Sequence, residues 1–383
     1  MKIVQFTTDN REQQNDYGNP QPHFGTAPQA LLEGFASLPD VEVHVVSCVR
    51  REVANPGKIF GNVHYHPVLV PKSGWMSTLY SGCSRATRRL LHDLAPDIVH
   101  GQGTERDCAI NAVYSGFPNV LTIHGNMAEL NRLGINFQNA RIYGYLASQL
   151  ETHALSKTRG VFCNSAYTES LVAPRTNQTW KVPNAIREIF LTPPAPNIHR
   201  TMEPLLLNVG HLGVRKRQLE ILRMAANMHK AGRRFHLCFV GSVPGNDPYG
   251  KAFTEDMKYA ERAGFASHAG ILEGSELVGL MDAAHGFIHF PSEEAFGLVV
   301  AEAMARGLRF FGANVGGIRD ICGGVPHAQL FDDFPSLESA ISSWLADGGE
   351  RSDSSAMIMK ERYSPTRIAG RHVEIYGDVL SAI

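Results

Sequence analysis

The sequence predicts an α/β protein made of two Rossmann-like domains, each built on a parallel sheet, and three observations carry that expectation. Short apolar runs alternate with helix-periodic stretches along most of the chain. Strands that alternate with helices build βαβ units, and those give parallel sheets covered on both faces. The alternation breaks once, at FLTPPAPNIHRTMEP (190–204), where prolines and lost periodicity read as a linker, and it restarts at Leu205. The chain has 383 residues, enough for two domains with real cores. Residues 1–189 therefore form the first domain, 190–204 the linker, and the second domain begins at 205.

In chain order, strands are read in KIVQFTT, VEVHVVSC, DIVHGQ, NVLTIHG and GVFCNS, then in PLLLNVG, FHLCFVG, GFIHFPS and RFFGANVGG. Helices are read in APQALLEGFASL, STLYSGCSRATRRLLHDL, RKRQLEILRMAANMHKAG, SELVGLMDAA and SLESAISSWLAD. His64-Tyr65-His66 alternates on a strand, which puts both imidazoles on one face; with no third ligand evident, an exposed strand face is preferred over a metal. Ligands of such sheets bind beyond the carboxyl ends of the strands, so the loops after them are where chemistry is sought.

Composition narrows the function. Hydrophobic residues make up 43% and charged residues 19%, a globular balance. Lys and Arg number 36 against 37 Asp and Glu, for a net charge of −1, so no field draws nucleic acid and any anion site is local. The start, MKIVQFTTDN, reads as a strand, not a signal peptide, and no apolar run approaches the roughly 18 residues of a spanning helix. Cys48, Cys83, Cys108, Cys163, Cys238 and Cys322 are scattered without a CxxC pair. They read as small buried hydrophobes in a reduced, cytoplasmic protein, and no metal site is expected.

Two stretches carry candidate chemistry. In NVGHLGVRKRQLE (208–220) a strand, a glycine and a polar loop lead into a helix, the layout that offers backbone N–H groups to an anion. Arg215, Lys216 and Arg217 stand where a helix prefers acidic residues, which points to an external anion; a basic run opening a helix is more often simply solvated. In PSEEAFGLVVAEAMARG (291–307), Glu294 precedes Phe296-Gly297, and Glu302 follows eight positions later among Leu298, Ala301 and Ala305. A buried carboxylate is costly unless it is paired or hydrogen-bonded, and the hydroxyls of a vicinal diol are donors that suit it. If the stretch were helical throughout, the two acids would stand roughly 12 Å apart. The N–H groups of Phe296, Gly297 and Leu298 would then offer a phosphate site between them.

PSEEAFGLVVAEAMARG with the downstream GANVGGIRDI resembles the donor-site signature of the retaining GT-B glycosyltransferases of family 4: Glu-x7-Glu, Phe-Gly, then a Gly-Gly loop. GHLGVRK is similar to the family's phosphate loop and KVPNAI to its hinge, while the tail YSPTRIAGRHVEIYGDVL resembles the helices that cross back onto the first domain. The resemblance implies the GT-B fold, with sheets facing across a cleft, a second domain spanning 205–365 and a first domain completed by 366–383. It implies that Glu302 binds the nucleotide ribose and Glu294 the transferred sugar. Phe296, Gly297 and Leu298 then hold the diphosphate, Lys216 neutralises the leaving phosphate, and Arg215 assists. One departure stands out: His211 follows the loop glycine where the family usually has arginine, which would make phosphate binding pH-sensitive. In the first domain the resemblance puts Gly25 in the phosphate-side turn and His124 against the transferred sugar.

The implied partner is a UDP-, GDP- or ADP-sugar acting as substrate, with no cofactor and no metal required. The acceptor is open between a lipid-linked molecule and an oligosaccharide, and the implied role is polysaccharide or glycoconjugate synthesis. A sugar phosphorylase, a sugar-nucleotide epimerase and a non-catalytic sugar-nucleotide-binding subunit remain as alternatives. Glu105 is a weaker candidate, and Asn164 and Ser165 are balanced between a site role and capping the helix that follows. GQG (101–103) lacks the third glycine of a dinucleotide fingerprint, and neither GxSxG nor HExxH occurs. The basic, aromatic-bearing stretch holding Trp75, Tyr80, Arg85, Arg88 and Arg89 is able to touch an anionic membrane surface, against which a solvated helix is the safer reading.

Overall fold

A computed structural model of the chain describes residues 1–134, 141–194, 203–245 and 247–382. It divides into two compact units, Met1–Arg187 with Tyr363–Ile383, and Glu188–Arg362. Of the stretch expected as a linker, residues 195–202 lie outside the described residues.

The first unit is an eight-stranded sheet. Its strands are β1 (Lys2–Phe6), β2 (Glu42–Val49), β3 (Lys58–Phe60), β4 (Val63–Leu69), β5 (Ile98–Gln102), β6 (Asn119–Ile123), β7 (Val161–Cys163) and β8 (Thr179–Lys181). Their order is β3-β4-β2-β1-β5-β6-β7-β8, and every neighbouring pair is parallel except β3 with β4. The pleat explains why these strands are almost continuously apolar. Ile3, Val43, Val45, Val120 and Phe162 face one side, while Val4, Phe6, Val46, Leu121 and Cys163 face the other. The first side is covered by helix Thr26–Ala36 and by the last helix of the chain, Pro365–Ser381.

That last helix starts with Pro365 in its first turn, where the missing N–H costs nothing. It buries Ile368, Ala369, His372, Ile375, Tyr376 and Val379, an apolar stripe of helical period with one histidine in it. His372 stacks on Phe162 at 4.4 Å between ring centroids, and the Tyr376 hydroxyl meets His100 Nδ1 at 2.5 Å. His100 Nε2 in turn lies 2.7 Å from Thr122 Oγ1, so these buried polar groups are satisfied among themselves. Helix Thr26–Ala36 comes so close that a Cβ on Gly34 would stand 2.1 Å from the Pro365 carbonyl oxygen.

The second unit holds β9 (Leu205–Val209), β10 (His236–Val240), β11 (Ala266–His268), β12 (Gly286–His289), β13 (Arg309–Ala313) and β14 (Ala328–Phe331). They pair in the order β11-β10-β9-β12-β13-β14, all parallel. From β9 the chain winds outward through β10 and β11, then returns to β12 on the other side. The switch point therefore lies between β9 and β12, and such a sheet opens a ligand crevice beyond those two strand ends.

Candidate functional site

The loops leaving β9 and β12, residues 210–217 and 290–297, meet at this switch point. Gly210 has φ +150°, where a larger residue would be strained, and Gln218 braces the loop behind it. The Gln218 side chain donates to the His211 carbonyl (3.1 Å) and accepts from the Gly213 N–H (3.2 Å). A single 3-10 turn, Val214–Lys216, and a left-handed Arg217 (φ 55°) then lead into helix Gln218–Lys230. That turn sends Arg215 and Lys216 toward the β12 loop.

Their target is Glu294. Lys216 Nζ donates to Glu294 Oε2, His289 Nε2 lies 3.1 Å from the same oxygen, and Arg215 Nη1 stands 3.8 Å from Oε1. Arg215 also donates to the Glu293 carbonyl at 2.8 Å and pairs with the Glu293 carboxylate at 3.3 Å. Backbone bonds lock the arrangement: the Ser292 N–H to the Arg215 carbonyl (2.8 Å), and the Gly317 N–H to the Glu294 carbonyl (3.0 Å). The third loop, after β13, comes this close because Gly316 and Gly317 carry no side chain. A Cβ on Gly316 would lie 2.0 Å from the Glu294 carbonyl oxygen.

Glu294 is 9% exposed, and burial alone would raise its pKa. The charge of Lys216, with His289 and Arg215, outweighs burial and holds the carboxyl well below the usual range. His289 is pushed down, first by its own burial and then by Lys216. It is therefore neutral near pH 7 and donates its Nε2–H to Glu294 as a hydrogen bond, while Nδ1 is buried with no hydrogen-bond partner among the described residues.

Beyond Gly297 begins helix Leu298–Ala305, so the stretch from Glu294 to Gly297 is not helical and the 12 Å spacing expected for a continuous helix does not apply. Gly297 has φ +96° and, as the glycine at the N-cap, brings no side chain of its own to cap the helix. By contrast, Asp247 and Asp333 cap their helices with side-chain oxygens. The first N–H groups of any helix lack intrahelical partners, so an uncapped start presents them to a ligand. Glu302 lies farther along this helix, 4% exposed among buried Ala301, Ala303 and Met304. Phe296 is buried, whereas His211 points to solvent with Nδ1 against the Ser242 hydroxyl.

Arg215, Lys216 and Glu294 are thus brought into one contact group, with Phe296, Gly297 and Leu298 following directly in the chain. His211 shares the loop but is not in that group. His124 and Gly25 belong to the first unit. His124 follows β6, half-buried, with Nε2 2.9 Å from Gln102 Oε1 and a pKa pushed down to about 4 by burial. Gly25 precedes helix Thr26–Ala36 with an ordinary extended backbone (φ −62°, ψ 154°), so its conformation does not demand glycine. Glu105 accepts the Gly125 N–H at 2.8 Å, and Ser165 accepts the Thr168 N–H at 3.1 Å as a helix cap.

Sequence reasoning missed His289, Gln218, Glu293 and Ser242. His289 alone left a trace, as the polar residue inside the apolar run GFIHFPS. It also missed Asp9 and Arg11, a buried ion pair at 2.7 Å in the loop after β1, where Tyr65 donates to Asp9 at 2.6 Å.

Two protein-family models match the chain: Glycosyltransferase Family 4 over residues 29–186, and Glycosyl transferases group 1 over residues 193–359. The chain belongs to the glycosyltransferases of the GT-B fold that these two models describe. Over 119 residues it is 34% identical to the sulfoquinovosyl transferase SQD2 of Arabidopsis thaliana, a match that takes in 31% of this chain and 21% of that protein. The chain thus spans about a fifth of the length of that curated relative. Among solved structures, sucrose-phosphate synthase from Thermosynechococcus elongatus superposes with a TM-score of 0.76 at 17% identity, covering 100% of both chains. HepE of Anabaena, solved in complex with UDP and glucose, does so with a TM-score of 0.71 at 16% identity, covering 99% of this chain and 100% of its own. Likeness at these identities establishes the fold.

Proposed function

We propose that the protein is a retaining glycosyltransferase that moves a sugar from a nucleoside-diphosphate sugar to an acceptor hydroxyl. The observation that carries the reading is the contact of Lys216 with Glu294 at the switch point, next to a helix whose N-cap is a glycine. Charge develops on the departing diphosphate as the anomeric C–O bond breaks through an oxocarbenium-like state. Fixed donors aimed at that charge stabilise it without reorganisation. Lys216 carries three N–H donors and can hold Glu294 and a phosphate oxygen together. Ionised Glu294 is acceptor-only, which suits the hydroxyls of the transferred sugar, and Glu302 takes the ribose diol in the same way. In the retaining course, the bonding pair of the anomeric C–O bond stays on the diphosphate. The acceptor oxygen attacks from the face the diphosphate leaves, and its proton passes to a phosphate oxygen.

The first unit supplies His124, as a neutral imidazole, to the sugar. It also holds a cavity of about 630 Å³ where Arg85 and Arg88 stand beside Leu79, Ile110 and Leu150. This mixture favours an acceptor that joins an anionic group to an apolar one, such as a lipid-linked molecule, over a plain oligosaccharide. Among the described residues no helix is long and apolar enough to cross a membrane, so contact with lipid would be at its surface.

Calorimetric titration with UDP, GDP and ADP, followed by their sugars with lipid-phosphate and oligosaccharide acceptors, tests the proposal. Transfer with the donor's anomeric configuration kept is the expected result. Sugar phosphate formed from inorganic phosphate would identify a phosphorylase, and epimerised donor without acceptor an epimerase. Tight nucleotide binding with no turnover on any acceptor would leave only a binding subunit.

A further inference from the structure

Far apart in sequence, Cys48, Cys83 and Asp107 are gathered inside the first unit, and all three are buried. Cys48 is the last residue but one of β2, Cys83 lies in helix Ser81–Leu94, and Asp107 immediately precedes helix Cys108–Val113. Two thiol sulfurs and a carboxylate oxygen there all lie within 4.8 Å of one another. In a tetrahedral zinc site, with Zn–S about 2.3 Å and Zn–O about 2.0–2.2 Å, such atoms stand roughly 3.5–3.8 Å apart. Closing the three around one ion therefore takes movements of about 1 Å, within reach of side-chain rotation.

We infer that Cys48, Cys83 and Asp107 form a binding site for a thiophilic divalent cation of the zinc type. The surroundings suit anionic ligands. The Asn111 side-chain N–H donates to Asp107 Oδ2 (2.8 Å) and to Cys48 Sγ (3.5 Å), fixing both ligand atoms from behind. Around them the core is apolar, with Val46, Val70, Trp75, Leu91 and Ile110, so charge on the ligands calls for a cation at close range. Two thiolates exclude magnesium and calcium, which take oxygen ligands. On binding, the ion replaces the thiol protons, and that of the carboxyl where it carries one, and these leave to solvent. Three protein ligands leave the fourth position of a tetrahedral zinc ion to a water. Bound metal would tie together β2 and two helices whose sequence separations are large, an arrangement that stabilises the fold without touching the donor site.

The test uses the full chain, purified with reductant and dialysed against zinc or cobalt(II). One equivalent of zinc per chain is expected, together with a thiolate-to-cobalt charge-transfer band. Both should persist in Cys238→Ser, whose thiol lies in the other unit, and disappear in Cys83→Ser. Should Cys83→Ser fail to fold, Asp107→Asn serves, with the wild-type chain also expected to melt at higher temperature with zinc than after chelation. Less than a tenth of an equivalent of zinc, with no band and no shift in Tm, overturns the inference. So does a band that survives Cys83→Ser, or a Cys48–Cys83 disulfide whose reduction restores no metal uptake.

Discussion

Lys216 donates to Glu294, and the two residues reach each other from loops 78 positions apart in the chain. Without a ligand the lysine is the carboxylate's main counter-charge. Lys216→Ala should therefore cut kcat by about 10²- to 10³-fold at saturating donor, the cost of losing one donor to a developing anion. Steady-state kinetics check this, and unchanged kcat would remove Lys216 from the reaction. The same variant should lose its advantage in acid. Glu294 has a folded pKa below its ordinary 4.5, so its stabilisation is present above that pH and fades as pH falls below it. In Lys216→Ala the pKa rises, and acid unfolding should begin at higher pH.

Glu302 sits in the helix itself and is buried, and in the proposed function it holds the ribose and not the transferred sugar. Glu302→Ala should weaken nucleotide binding at least 10-fold while kcat changes little, the signature of lost uniform binding. Titration calorimetry with the preferred nucleoside diphosphate reads the first effect. Equal affinity in the variant would place the ribose elsewhere.

Gly316 has φ +47°, and a Cβ there would stand 2.0 Å from the Glu294 carbonyl oxygen. Gly316→Ala forces the Glu294 backbone to shift. The expected outcome is a loss of about 1–3 kcal/mol in stability, by overpacking against main chain, together with a large fall in activity. Gly213→Ala, with nothing within 4 Å of its Cβ, is the control in a neighbouring loop and should fold normally.

Mild acid should destabilise the protein through its buried histidines. His44 and His372 have pKa values lowered to about 4, each chiefly by burial, and His100 is lowered well below its ordinary 6.5 for the same reason. They fold neutral, whereas the unfolded chain protonates them below about 6.5, so their stabilisation is present above that pH and lost as pH falls toward 4. Each contributes a slope of at most about 1.4 kcal/mol per pH unit. Calorimetric melts from pH 7.5 to 5 should show Tm falling well before the carboxylates titrate. A flat profile across that range would contradict it.

The two-unit α/β plan was legible because nine buried strands are nearly pure runs of apolar residues, from KIVQF to RFFGA. What escaped has a physical cause. β3, β8, β11 and β14 lie at or next to sheet edges, are short, and have partly exposed patterns such as TWK and AQLF, which no periodicity marks. Helix Pro248–Ala263, with an apolar stripe of Phe253, Met257 and Ala260, went unread because its polar content resembled loop. At the site, Glu294, Lys216 and Gly297 stood out by residue type and spacing. His289 touches Glu294 from β12, Gln218 braces the backbone of the loop that carries Lys216, and Ser242 meets His211; such proximity is written only in three dimensions.

Helix Pro365–Ser381 covers a face of a sheet whose strands all end by residue 181, and the whole second unit lies between them in the chain. Residues 365–381 must therefore be synthesised before the first unit can finish its interior. Until then Phe35, His100 and Phe162 lack the His372 and Tyr376 rings that pack on them, and apolar surface left open in this way is prone to aggregate. A stop codon before Tyr363 should yield insoluble product, although both predicted binding loops are already encoded; supplying the missing tail as a separate peptide should rescue it.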